Sequence, residues 1–157
     1  MGDNIGSDLE TIRMVSLTGR KSHLVSGTYM PTSQRSFSMP VYYRLEDDEN
    51  HTVTMTKLSI TQIDRHSYGW TVQNSDLDIL AKAVYRMDEL AKEEPFGLPQ
   101  QMTAPCWKLL SPTGTFKLKP SAQFEVCASP FATYDQMMER TSEVSVRISR
   151  SISSGSR

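Results

Sequence analysis

The chain has 157 residues, of which 38% are hydrophobic and 22% charged, with a formal net charge of −1. That is the composition of one globular domain with a real core, and it excludes a disordered chain or a global polycation that would wrap nucleic acid. Charge is uneven along the sequence. Residues 1–40 carry four Lys/Arg and three acids, residues 41–104 six and eleven, residues 105–157 seven and four. An acidic middle and a basic C-terminal third can orient a protein on a charged surface or on its own neighbour.

In chain order, residues 1–40 are rich in Ser, Thr and Gly, and the stretch from Gly27 to Met39 is punctuated by Pro31 and Pro40. They read as a partly ordered N-terminal arm whose most basic cluster contains Arg20 and Lys21. Met1-Gly2 opens the chain, but Gly6 stands where a myristoylation motif needs Ser or Thr. No apolar run long enough for a signal peptide or a bilayer span occurs, so a cytosolic protein is expected, with Cys106 and Cys127 reduced.

The core domain is expected over 41–149. Val41–Leu45 is dense in β-branched and aromatic residues and predicts a strand. From Thr52 to Ile63 the chain alternates, with Val53 and Met55 in one phase and Leu58 and Ile60 in the other. A bulge near Thr56-Lys57 is the expected cause. Tyr68–Val72 predicts a third strand. Ser75–Glu94 then shows Leu77, Leu80, Val84, Met87 and Ala91 at helical spacing behind a Ser75 cap, and Pro95 closes it. A long helix is expected there, packed across one face of the sheet.

Phe96–Pro105 reads as a connection covering part of the core. Cys106–Leu110, a Ser-Pro-Thr-Gly turn and Thr115–Lys119 predict a hairpin with Phe116 and Leu118 inward and Lys108, Lys117 and Lys119 outward. Gln123–Ala128 is expected to extend this meander. Thr133–Arg140 predicts a short helix with a Thr-x-x-Gln cap, and Val144–Ile148 a last strand. Residues 150–157 form a Ser/Arg tail with no core-forming content. The fold class expected is therefore α+β: a mainly antiparallel twisted sheet, one long helix on its face, and a short C-terminal helix.

Neither metal nor cofactor is expected. His23, His51 and His66 lie far apart, no glycine-rich phosphate loop occurs, and no serine has the surroundings of a nucleophile elbow. Asp64-Arg65-His66 has the types of a charge relay, but adjacent residues on a strand or turn point apart. The chain therefore reads as non-enzymatic. Arg20, Lys21, Lys108, Lys117 and Lys119 are the candidate partner or phosphate contacts. Phe116 and Lys117 point to opposite faces of a strand, so sequence-specific nucleic-acid binding is not expected.

The order strand, strand, long helix opening Ser75-Asp76, irregular connection, then Trp107-Lys108-Leu109-Leu110 and a hairpin resembles the matrix proteins of rhabdoviruses, whose plant-infecting members are similarly short. The likeness covers roughly residues 52–128. It implies a non-enzymatic structural protein of the virion and host cytoplasm that self-associates, condenses the viral ribonucleoprotein and contacts the inner, anionic membrane surface without spanning it. The chain has no Pro-Pro-x-Tyr motif. The alternative is a viral accessory, movement or silencing-suppressor protein that binds a host factor or RNA.

Overall fold

A computed structural model describes residues 10–17, 22–46, 49–87, 97–102 and 106–155, with backbone alone at 85–87 and 145–155. Among the described residues nine strands follow one another: β1 (Ile12–Val15), β2 (Gly27–Ser36), β3 (Met39–Leu45), β4 (Val53–Asp64), β5 (Ser67–Gln73), β6 (Ile79–Met87), β7 (Lys108–Leu110), β8 (Phe116–Leu118) and β9 (Gln123–Val126). They form one antiparallel sheet in the order β8-β7-β6-β5-β4-β3-β2-β1-β9. Among the described residues one α-helix, α1 (Tyr134–Gly155), follows.

The order makes the sheet curl. Strands β8 and β9 are its two ends, yet only residues 119–122 join them. Nine flat strands spaced ~4.8 Å apart would separate the ends by ~38 Å, whereas five chain steps reach at most ~18 Å. The ends must therefore approach, and aromatic rings record it. Trp107, just before β7, meets Phe124 of β9 at 5.2 Å between ring centroids, and Phe124 meets Tyr29 of β2 at 5.5 Å.

The concave side is filled by large side chains. Ile12, Tyr29, Tyr42, Leu58, Ile60, Trp70, Val72, Ala81, Ala83 and Trp107 are fully buried in one cluster. Trp70 satisfies its indole N–H on the Gly97 carbonyl at 2.8 Å. A second cluster lies on the convex side, where Met30, Val41, Tyr43, Leu45 and Val53 meet Met137 and Val144 of α1. Strand β3 is thus buried on both faces.

This second layer explains the phase change in β4. Val53 and Met55 belong to the convex cluster beneath α1, and Leu58 to the concave one. Two of β3's residues, Tyr43 and Leu45, bracket the same span as Lys57 and Val53, so the ladder is irregular there. The two extra residues of β4 preserve phase, and the switch comes from burial on two different sides.

The expected α+β architecture is overturned at its centre. Residues 79–87 are strand β6, hydrogen-bonded between β5 and β7, and residues 88–96 lie outside the described residues. The residues that resemble a helix start make a hairpin turn instead. Asn74 Oδ1 accepts the backbone N–H groups of Asp76 and Asp78, each at 3.0 Å, and Leu77 takes a left-handed φ of 66°. Asn, Ser and Asp suit this turn for the same reason that they suit a cap: their side chains bind nearby backbone donors. Leu77 and Val84, assigned to a buried helical stripe, are 61% and 47% exposed.

Other expectations are corrected by register. Residues 27–36, read as part of an arm, form β2 inside the sheet. Pro31 is tolerated there because the β2–β3 ladder shifts between Pro31 and Arg35, and Thr32 Oγ1 bonds the Val41 carbonyl at 2.7 Å. Strand β9 does not extend the hairpin but crosses to pair with β1. The last predicted strand, over 144–148, is part of α1, which runs on to Gly155 through most of the expected tail. Met137, Thr141 and Val144 are buried at helical spacing, and their contact with the convex cluster favours the helix. The Thr133 cap is present: Thr133 Oγ1 accepts the Gln136 N–H at 3.1 Å.

Candidate anion-binding face

Strands β6, β7 and β8 carry the convex surface furthest from α1 in strand order. In their register Lys82 lies opposite Lys108, Lys108 opposite Leu118, and Leu110 opposite Phe116. Alternation then puts Lys82, Lys108, Leu110, Phe116 and Leu118 on one face and Ala81, Leu109 and Lys117 on the other. Ala81 and Leu109 are buried in the concave core, which identifies the lysine–phenylalanine side as the outer one.

The hairpin was expected to turn Phe116 and Leu118 inward, and the register reverses this. Leu118 is 46% exposed and Phe116 half-buried on the outer face. Lys117 belongs to the opposite face and is exposed because β8 is a sheet end. Lys119 lies just past β8, where its backbone N–H bonds the Trp107 carbonyl at 2.9 Å. Of the five sequence candidates, Lys108, Lys117 and Lys119 thus fall on one hairpin, with only Lys108 beside Phe116. Arg20 and Lys21 lie outside the described residues.

Lys82 falls within the expected helix 75–94, and no spacing in the sequence ties it to Lys108. The register alone brings them together. Its ammonium stands 4.2 Å from the Phe116 ring centroid, a cation–π contact. Like charges directly opposite across two strands oppose each other, so this face carries an electrostatic cost that a bound anion would relieve. Residues 106–124 hold three lysines and no acid. Among the described residues the one ion pair is Arg44–Glu46 at 3.2 Å, far along the strand order on β3.

Other concave features offer less. A cleft of about 700 Å³ lies between the β3–β4 loop and the start of α1, lined by Glu49, His51, Phe131, Glu139, Arg140 and Glu143. It carries three carboxylates against one guanidinium, and His51 is stacked edge-on to Phe131 at 5.8 Å. A smaller pocket of about 280 Å³ includes Arg13, His23 and Arg44. There Arg44 is already committed, donating to the Leu24 carbonyl at 2.6 Å and to Glu46.

Asp64 serves a turn. Its Oδ1 accepts the His66 backbone N–H at 2.9 Å, and that bond, joined by the Ser67 hydroxyl, holds the carboxyl below its ordinary range. Cys106 and Cys127 are free thiols, each pushed up by burial. Among the described residues, no three His, Cys, Asp or Glu side chains are grouped to hold a metal, and no helix is long and apolar enough to cross a membrane.

No family model matches this chain, and neither a curated protein nor a solved structure does. The functional reading therefore rests on the molecule's own surface.

Proposed function

We propose that this protein is a non-enzymatic viral structural protein, matrix-like in role, that grips an anionic polymer through the outer face of β6–β8. The carrying observation is the pair Lys82 and Lys108, side by side, in no ion pair among the described residues and sharing their face with Phe116. In that role the polymer is the viral ribonucleoprotein, and an anionic membrane surface is the second target of the same charge. The setting is the host cytoplasm and the virion. The element order behind the matrix resemblance included a helix where β6 runs, so the support for this role is the surface chemistry of β6–β8.

Self-association belongs to the same reading. The Glu49–Glu139–Glu143 cleft is opposite in charge to the lysine face, and such complementary patches support head-to-tail contact between copies. The accessory-protein alternative, which binds RNA or a host factor, draws on Phe116 as a stacking group.

Binding of the full chain to heparin and to long-chain polyphosphate, combined with sedimentation velocity from low to high salt, tests the proposal. Retention that weakens with salt and falls in a Lys82→Gln/Lys108→Gln variant is expected, with concentration-dependent oligomers at low salt. A chain that stays monomeric and ignores every polyanion at low salt would remove the reading.

A further inference from the structure

We infer that the polymer taken by this face is single-stranded nucleic acid, with a base stacked on Phe116 and the flanking phosphates held by Lys82 and Lys108. This rests on the polyanion reading above and names its ligand class.

Three observations narrow the ligand. Phe116 is half-buried on the face that carries Lys82 and Lys108, so its ring lies against the surface and does not project as a wedge. A ring held at the surface is a stacking platform, and every base has a face to offer it. Lys82 rests 4.2 Å from the ring centroid. A phosphate beside the ring draws that ammonium outward and vacates a stacking surface, so the contact is exchangeable at small cost. Finally, Lys82, Lys108, Lys117 and Lys119 have no ion pair among the described residues, so binding breaks none there.

Duplex fits poorly. The face is the convex side of a curled sheet, made in part by strands β7 and β8 of three residues each, and among the described residues its Lys, Leu, Phe and Val side chains carry no acceptor to read base edges in a groove. Three strands at ~4.8 Å spacing cover about 10 Å, which accommodates two or three phosphates. Single-strand binding should then have a log–log salt slope of about −1.4 to −2.1. No base preference is expected, since among the described residues no hydrogen-bonding side chain other than lysine shares this face of β6–β8.

Fluorescence anisotropy of the full chain with labelled oligouridine tests this, with an RNA duplex, long-chain polyphosphate and phosphatidylserine vesicles as the other probes. Oligouridine should bind more tightly than duplex, and Lys82→Gln should flatten the salt slope by about 0.7. Phe116→Leu should weaken oligouridine about tenfold while leaving polyphosphate unchanged. Phe116→Trp should keep the affinity, and oligouridine should quench the added indole. Thermal melts of both variants establish that they are folded.

Equal losses for oligouridine and polyphosphate on Phe116→Leu, no loss at all, or a duplex or vesicle bound as well as the single strand would each overturn the inference and leave the polyanion reading standing. Failure of the unmodified chain to bind any of the four probes would remove both.

Discussion

The identity of residues 79–87 is open to a direct test, because a strand and a helix make opposite demands on neighbouring positions. Ala81 is fully buried inside the sheet, with Val72 and Leu109 opposite it on the two neighbouring strands. On a helix with the apolar stripe Leu77–Leu80–Val84 it would stand beside that stripe. Leu is nearly as good a helix former as Ala, so Ala81→Leu would be close to neutral in a helix. In the strand it forces three extra carbons into a filled core, which costs about 1–3 kcal/mol. For a chain of this size each kcal/mol moves Tm by about 2–4 °C, giving a fall of about 2–12 °C. Val84→Thr is the counterpart. Its side chain is 47% exposed, so the change should stay within about 0.5 kcal/mol, or about 2 °C. Paired thermal and urea melts followed by far-UV circular dichroism measure both. A destabilised Val84→Thr beside an unaffected Ala81→Leu would refute the strand and the lysine register built on it.

Two further outcomes probe the same sheet. A methyl group at Gly69 would overlap the Ala83 carbonyl oxygen, where the β5–β6 ladder shifts register between Tyr68 and Gly69. Gly69→Ala should therefore lower Tm in a melt, in place of the gain of about 0.4–1 kcal/mol that Gly→Ala brings at unstrained sites. Lys57, half-buried between Tyr43 and Gln73, has its ammonium pKa lowered by burial. Between that lowered value and 10.5 the unfolded chain binds more protons than the folded one, so Lys57 makes stability rise with pH through this window. Lys57→Met should raise Tm at neutral pH and flatten that alkaline rise in melts taken across the window.

Much of the strand content was legible because it followed from local chemistry. Val41–Leu45, Thr52–Ile63 and Tyr68–Val72 are β-branched and aromatic, and Ser111-Pro112-Thr113-Gly114 is a turn by residue type, its Gly114 N–H bonding the Ser111 carbonyl at 3.0 Å. The β2–β3 hairpin was not legible. Its turn residues Phe37 and Ser38 both have positive φ, at 53° and 65°, where Asn and Gly are the usual signals. Phe37 is instead held by its ring against Tyr68 at 5.2 Å. The segment Ile79-Leu80-Ala81-Lys82-Ala83-Val84 satisfies both periods, since small alanines fit a helix face and the crowded inside of a curled sheet alike.

The candidate site was half legible. Lys108 and Phe116 could be named from the hairpin, but their sharing a face could not, because inward and outward are set by what covers each side of the sheet. Lys82 carried no signal at all.

By itself, then, the sequence established most of the strands, the cap at Thr133 and an excess of lysine over acid near the hairpin. All of these depend on interactions between residues close in the chain. Tertiary structure decided that residues 79–87 join the sheet, that β9 returns to β1, and that Lys82 and Lys108 stand together beside Phe116. Those outcomes depend on pairing between distant segments, where a shift of one residue would exchange the two faces, and burial against both sides of the sheet selects the register that is kept.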